Sequence, residues 1–273
     1  MRFSIDPWDP TYGTSLGAQR GESTADVDVD VEVPAAEWAP VDPSRGLTPP
    51  AAVLFVDGVR RIDAQVWVDS TDGDAAPALC ASYAAGVVCC CRDGGAHVLA
   101  ADVRRGLFTT VDATDVVTGA GSYRAIRAER GEATLPDAAQ MQVLSAALQG
   151  ELGKTELAAA VSARAGRSAE DDLLVVDGQL PDAGHLPRAI GFAKTHRSTY
   201  LPAQLAGMVG ALTPSQRTPV FRLGSRFAVY TWYLRLPCAP GAPWAGVVRV
   251  ECSAELPAAE AAALAALSQV TLP

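Results

Sequence analysis

Two tripeptides, Val56-Asp57-Gly58 and Val176-Asp177-Gly178, each put a carboxylate at the end of an apolar run, in residues 51–57 (AAVLFVD) and 172–177 (DLLVVD). Continuous apolar runs of this kind suit strands covered on both faces of an α/β sheet. Open α/β sheets place their sites at the carboxyl ends of such strands. An acid there needs a partner, because an unpaired charge taken out of water is costly, and a metal ion is a natural one. Two acids on neighbouring strand tips repel unless one is protonated or a cation neutralises both. Oxygen-only ligands then favour Mg²⁺ or Mn²⁺ over zinc. The competing expectation is that each Asp-Gly only opens a turn. Its occurrence twice, each time after an apolar strand, puts the metal reading beside the turn reading.

A third acid is expected from the helical stretch between them. Glu156, on the helix feeding the second strand, is the first choice and Glu151 the rival; periodicity does not separate them, and either also reads as a solvated helix acid. Lys194, His196 and Arg197 form a compact basic cluster suited to holding a phosphate, or else a solvated loop. Tyr233 lies on an apolar strand, where an aromatic side chain is a core residue or a site residue.

The elements that must position these residues follow from hydrophobic period. Residues 25–33 (ADVDVDVEV) alternate strictly, which predicts a half-buried strand with Val27, Val29, Val31 and Val33 on one face and solvated acids on the other. Residues 42–50, with three prolines and a glycine, read as a linker. An N-terminal extension over 1–50 and a main domain over 51–273 are therefore expected. Strands are predicted over 51–57, 61–69, 81–91 and 97–101, as a meander starting at Asp57. Residues 136–150 and 154–165 have helical spacing, with Gly150 and Gly153 marking a break between them. Strands at 172–177, 218–221, 226–236 and 245–252 and a closing helix at 258–267 complete an α/β chain with the order β-β-β-α-β at its centre.

Composition limits the function. The chain has 273 residues, 49% of them hydrophobic, enough for a substantial core. No apolar run reaches the ~18 residues of a membrane helix, and residues 1–6 lack the apolar stretch of a secretory signal. A soluble, cytoplasmic protein is expected. The formal net charge is −9, and all but Lys154 and Lys194 of the 22 basic residues are arginine. That balance argues against indiscriminate nucleic-acid binding, which rests on neutralising phosphates, but leaves room for a local basic groove. The six cysteines contain no CxxC pair, so Cys89, Cys90 and Cys91 read as small hydrophobes in a buried strand.

Several of these segments together resemble the NurA-type nucleases. Residues 55–61 (FVDGVRR) are similar to the family's first active-site strand, and residues 173–180 (LLVVDGQL) to its second. Residues 191–197 (GFAKTHR) follow as the family's lysine segment does, and residues 231–236 (TWYLRL) resemble the later strand bearing an active-site tyrosine. The resemblance spans roughly residues 53–252. It implies a ribonuclease-H-like mixed sheet flanked by helices, here with a short N-terminal β extension, and a Mn²⁺- or Mg²⁺-dependent DNA nuclease. It implies Asp57, Glu156 and Asp177 as metal ligands and Tyr233 as an active-site residue. It also implies a homodimer and a HerA-type hexameric ATPase as partner in DNA-end resection. Two departures stand out: the N-terminal region is short and divergent, and the family's later histidine-bearing segment has no counterpart before Pro273.

The runner-up expectation is a catalytically inactive scaffold docking on a HerA-type ATPase. An actin-like ATPase or sugar kinase would need a hydroxyl- and glycine-rich phosphate loop after Asp57, where Val59-Arg60-Arg61 stands instead. A serine hydrolase is excluded by the lack of a GxSxG elbow.

Overall fold

A computed structural model describes residues 21–22, 25–69, 75–119, 121–129, 137–166, 172–180, 186–196, 198–224, 228–239 and 241–273. In chain order the strands are β1 (Gly21–Glu22), β2 (Asp26–Asp28), β3 (Ala52–Asp69), β4 (Ala75–Cys91), β5 (Gly95–Thr109), β6 (Val116–Thr118), β7 (Gly121–Arg127), β8 (Asp172–Asp177), β9 (Ala189–Ala193), β10 (Ser198–Thr199), β11 (Phe221–Gly224), β12 (Val229–Arg235) and β13 (Val247–Ser253). The helices are α1 (Asp137–Arg164), α2 (Ala203–Ala211) and α3 (Ala258–Thr271). The fold is α/β, with parallel and antiparallel pairings mixed. No helix among the described residues is long and apolar enough to cross a membrane.

The chain divides into two compact units: Met1–Val53 with Ala169–Pro273, and Leu54–Ser168. The boundary therefore differs from the expected extension over 1–50. The start of the segment read as a linker, Asp42, and Val41 just before it are tied into the first unit. Val41 bridges Arg217, Gln269 Nε2 donates to Val41 O at 2.9 Å, and Gln216 Nε2 donates to Asp42 Oδ1 at 2.8 Å.

In the first unit the strand order is β2-β11-β12-β13-β9-β8. β8 and β9 are parallel, and β13 runs antiparallel to β9. Leu173, Val175, Ile190, Trp232, Val250 and Leu264 pack one core; Trp232 Nε1 donates to Ser268 Oγ at 3.1 Å, which satisfies its buried N–H. A second core gathers Trp38, Val209, Phe221 and Tyr233, with Val27, Val29 and Val33 against it. The alternation predicted over 25–33 holds for burial as far as Asp30, although β2 itself covers only three residues, and fails beyond it. Val31 packs into the other core, and Glu32 leaves the solvated row to bind Arg217.

In the second unit β4 and β5 form a long hairpin, β7 pairs parallel to β5, and β6 pairs antiparallel to β7. Three expectations are corrected here. β3 is one strand of 18 residues, so Asp57 lies inside it and does not close it. Nor is that strand covered on both faces at its start, since Leu54 and Val56 are buried while Phe55 is 40% exposed. Finally, α1 is continuous through Gly150 and Gly153. An interior glycine costs about 1 kcal/mol, but Leu144, Leu148, Leu152, Ala159 and Ala163 continue one buried stripe at helical spacing across that point. Burial of the stripe outweighs the local preference. The helix α2 and the strands β6, β7 and β9 were not apparent from periodicity.

Candidate functional site

The sequence Asp172–Asp177 forms β8 as its apolar run predicts, and every residue from Asp172 to Val176 is buried. Asp177 is the first to emerge. It is followed by Gly178 at φ +96°, a conformation that side chains with a Cβ rarely adopt, so the strand ends there. Parallel pairing sets Asp177 beside Phe192 of β9, and Gly178 N–H donates to Phe192 O at 2.9 Å. The next residues of β9 therefore leave the sheet at the same edge, and Lys194 Nζ reaches Asp177 Oδ2 at 2.7 Å. On the other side of β9, antiparallel pairing puts Arg249 beside Ala193 and Glu251 beside Gly191. Three adjacent strands thus bring an acid and two cations to one edge.

The loop after Asp177 is held by a buried ion pair. Arg249 Nη1 lies 2.5 Å from Glu251 Oε2, with both side chains about 95% covered. The other carboxylate oxygen, Glu251 Oε1, accepts the Leu180 N–H at 2.7 Å. Gly191 permits this crossing: a Cβ there would fall 2.7 Å from Leu180 N and 2.9 Å from Glu251 Cγ. The guanidinium of Arg249 also sits 5.2 Å from the Tyr200 ring centroid, within cation–π range. Asp177, Lys194, His196, Tyr200 and Arg249 line a cavity of about 440 Å³.

His196 and Tyr233 have different positions. The His196 ring packs 5.0 Å from Trp244 and 5.8 Å from Tyr233, with Nε2 2.9 Å from Val247 O. Its edge lines the cavity while its ring belongs to this aromatic group. Tyr233 is 1% exposed, stacked 6.0 Å from Phe221 and edge-on 5.5 Å from Trp244. It is a core aromatic behind the cavity and does not line it. Arg197 lies outside the described residues.

The other expected acids belong to the second unit. Asp57 is exposed on β3, and its Oδ1 accepts the Gly58 N–H at 2.7 Å. Glu156, half-buried on α1, places Oε1 where a Cβ of Gly58 would stand. Gly58 therefore faces α1, and strand alternation sends the Asp57 side chain to the opposite face. The expected sharing of one cation by Asp57 and Glu156 is not what this geometry supports. Glu151 is held by Lys154 Nζ at 2.6 Å and lines a cavity of about 580 Å³ with Arg104, Arg105, Arg124 and Tyr83. The Tyr83 phenol titrates above its ordinary value, first through burial and then through the charge of Glu151.

Among the described residues, one group of three His, Cys, Asp or Glu side chains brings its ligand atoms within 4.8 Å of one another. It is Cys89, Cys91 and His97, which contains no carboxylate. Sequence reasoning also missed Arg249 and Tyr200, because cross-strand register alone brings them to Asp177. It missed the three arginines of the second unit because they come from two strands, one of them unpredicted.

No protein-family model matches this sequence, and no curated protein matches it.

Proposed function

We propose that this chain is a DNA nuclease that receives a phosphodiester in the cavity of its first unit. The observation that carries the reading is Asp177, a strand-end carboxylate flanked by the cations Lys194 and Arg249 in one cavity. A phosphate needs cations and hydrogen-bond donors for its non-bridging oxygens, and hydrolysis needs a group to direct water at phosphorus. Lys194, 60% exposed, is able to exchange its ion pair with Asp177 for a phosphate oxygen. Arg249 is fixed by Glu251 and offers a pre-oriented guanidinium, which suits phosphate recognition. The resemblance of residues 55–61, 173–180 and 191–197 to NurA-type nucleases points the same way. A ribonuclease-H-like fold belongs to the same resemblance, although β6 and β7 stand between β5 and α1 where the sequence led from three strands directly to the helix.

The divalent cation of this proposal, Mn²⁺ or Mg²⁺, would be held by Asp177, whose carboxylate is the oxygen ligand such ions take. When bound, it would lower the pKa of an attacking water. Asp57 and Glu156 do not hold a cation together, since Gly58 faces Glu156 on α1 and Asp57 points to the other face of β3. The arginine-lined cavity of the second unit supplies a further cationic surface for the DNA backbone. Its local field opposes the net charge of −9. A HerA-type hexameric ATPase is the partner this reading brings with it, and a homodimer the assembly.

The test is cleavage of labelled linear duplex and single-stranded DNA by the full chain with Mn²⁺, Mg²⁺ or EDTA. Metal-dependent cleavage that disappears in Asp177→Asn supports the proposal. Equal cleavage by wild type and variant overturns the assignment of Asp177. DNA binding without cleavage under any metal would favour a second reading, a catalytically inactive scaffold, to which the separated faces of Asp57 and Glu156 already lend support.

A further inference from the structure

We infer that the tip of the β4–β5 hairpin is a Zn²⁺ site formed by Cys89, Cys91 and His97. The inference is independent of the nuclease proposal, since it uses none of the same residues. In the hairpin register His97 lies directly opposite Cys89, and Cys91 opposite Gly95. Side chains two apart on a strand share a face, so both thiols and the imidazole project to the same side. Their ligand atoms already lie within 4.8 Å of one another. Closing onto Zn–S bonds of ~2.3 Å and a Zn–N bond of ~2.0 Å needs only side-chain adjustment. Cys90 alternates to the other face and is excluded.

The surroundings are arranged for such a group. Gly94 N–H points at Cys91 Sγ from 3.3 Å and fixes where the sulfur sits. Gly95 O lies 3.4 Å from His97 Nδ1, a contact that fixes the ring's orientation. A Cβ on Gly94 would stand 3.1 Å from His97 Cε1 and 3.2 Å from Cys91 Sγ, filling the space beside two ligands. Gly95 adopts φ +60°, which lets the turn close with these contacts. Cys89 is buried, Cys91 half-buried and His97 exposed, so the group opens to solvent on one side. A purely apolar role accounts for Cys89 but not for an exposed histidine held against a cysteine at a hairpin tip.

Two sulfurs and one imidazole select zinc and not Mg²⁺ or Mn²⁺. With three protein ligands the fourth tetrahedral position is left to water or an exogenous ligand. The metal replaces the protons of two thiols, so binding strengthens as pH rises.

The experiment uses the full chain, reduced, freed of metal and titrated with Zn²⁺ or Co²⁺. The expected result is one Zn²⁺ per chain, and a Co²⁺ form with thiolate charge-transfer and tetrahedral d–d absorption. Cys91→Ser and His97→Ala should each weaken binding by more than the ~10–100-fold that loss of an outer hydrogen-bond partner costs. Cys90→Ser and Cys238→Ser should bind as wild type does. Cys91 and His97 lie outside the fully buried core, and circular dichroism verifies that their variants fold. Failure of the wild type to take up zinc, a Co²⁺ spectrum without charge-transfer bands, or equal affinity in the Cys91 and His97 variants would each overturn the site.

Discussion

Lys194 Nζ lies 2.7 Å from Asp177 Oδ2; Asp177 ends β8, and Lys194 directly follows its parallel neighbour β9. The contact follows from topology: β8 and β9 run in the same direction, so both deliver their carboxyl ends to one edge. With the side chains 60% and 31% exposed, solvent screens the pair, and such pairs contribute about 0–1 kcal/mol to stability. Its position in a cavity has more bearing on ligand handling than on folding.

Lys194→Met should therefore leave the melting temperature nearly unchanged and weaken DNA binding. Asp177→Asn should keep DNA affinity, or raise it by freeing Lys194, while lowering cleavage by about 100-fold or more, the scale on which loss of one catalytic electrostatic group is felt. Thermal denaturation and filter binding, run alongside the cleavage assay, separate the two. A large loss of stability in Lys194→Met would show that the pair is structural.

Gly191→Ala tests the architecture behind the cavity. The added Cβ would meet two backbone atoms, Leu180 N at 2.7 Å and Gly178 O at 3.1 Å, so the loop must move. Overpacking of this kind costs about 1–3 kcal/mol. Because that loop follows Asp177, cleavage and binding should fall further than stability does. Unaltered DNA binding in a destabilised variant would detach the loop from function.

The arginines of the second unit predict a salt effect. Replacing Arg105 and Arg124 with Gln should reduce the slope of log K against log salt by about 0.9 for each phosphate that the protein no longer neutralises. Arg104 is the weaker choice because it already bonds Asp102 at 2.8 Å. An unchanged slope, measured by fluorescence anisotropy across a salt series, would remove this cavity from the DNA path.

Thiol reactivity gives a prediction independent of function. Burial, with smaller contributions from Glu251 and Glu260, pushes the Cys252 thiol up to about 12. The thiolate is the nucleophile, so Cys252 should resist alkylation in the folded chain while the exposed Cys238 reacts. Mass spectrometry after brief iodoacetamide treatment reads both. Early labelling of Cys252 would contradict the core that encloses it.

The two Val-Asp-Gly tripeptides show how far the sequence could be read. After Val176 the run ends as expected, where Gly178 turns at positive φ. After Val56 the same three residue types pass straight through β3, since Arg60 and the residues beyond keep strand geometry; Arg60 Nη1 even reaches Ser145 O on α1 at 3.3 Å. Local chemistry permits either outcome, and long-range pairing chooses. The same limit hid Arg249: nothing near it in sequence announces a site, and only its register against Ala193 brings it beside Lys194. Cys89 and His97 were hidden likewise, because a spacing that carries no CxxC becomes a ligand set only once the hairpin folds back. Asp172–Asp177 and the closing helix were readable because their periods match the burial they acquire.

Acid should weaken the first unit through Glu32. Arg217, 3% exposed, donates from Nη1 and Nη2 to the two oxygens of this carboxylate, each at 2.7 Å, and Val220 N–H adds a third bond at 2.7 Å. Burial alone would raise the Glu32 carboxyl, but the Arg217 hydrogen bonds and charge, with the Val220 amide, outweigh it and hold it below the ordinary 4.5. A carboxyl depressed in the folded state contributes stability that is fully present above its unfolded value. That contribution is lost as pH falls through the lower folded value. The melting temperature of wild type should therefore drop as pH is taken below 4.5, beyond what exposed acids cause. Glu32→Gln should be destabilised at neutral pH by about 3 kcal/mol, because the Arg217 charge is left buried without its counter-charge. It should also lose this part of the acid dependence. Replacing both residues with Met removes the stranded charge and should cost less than Glu32→Gln alone. Urea unfolding at neutral and acid pH measures all three, and a Glu32→Gln variant as stable as wild type at neutral pH would show that solvent, not Glu32, satisfies Arg217.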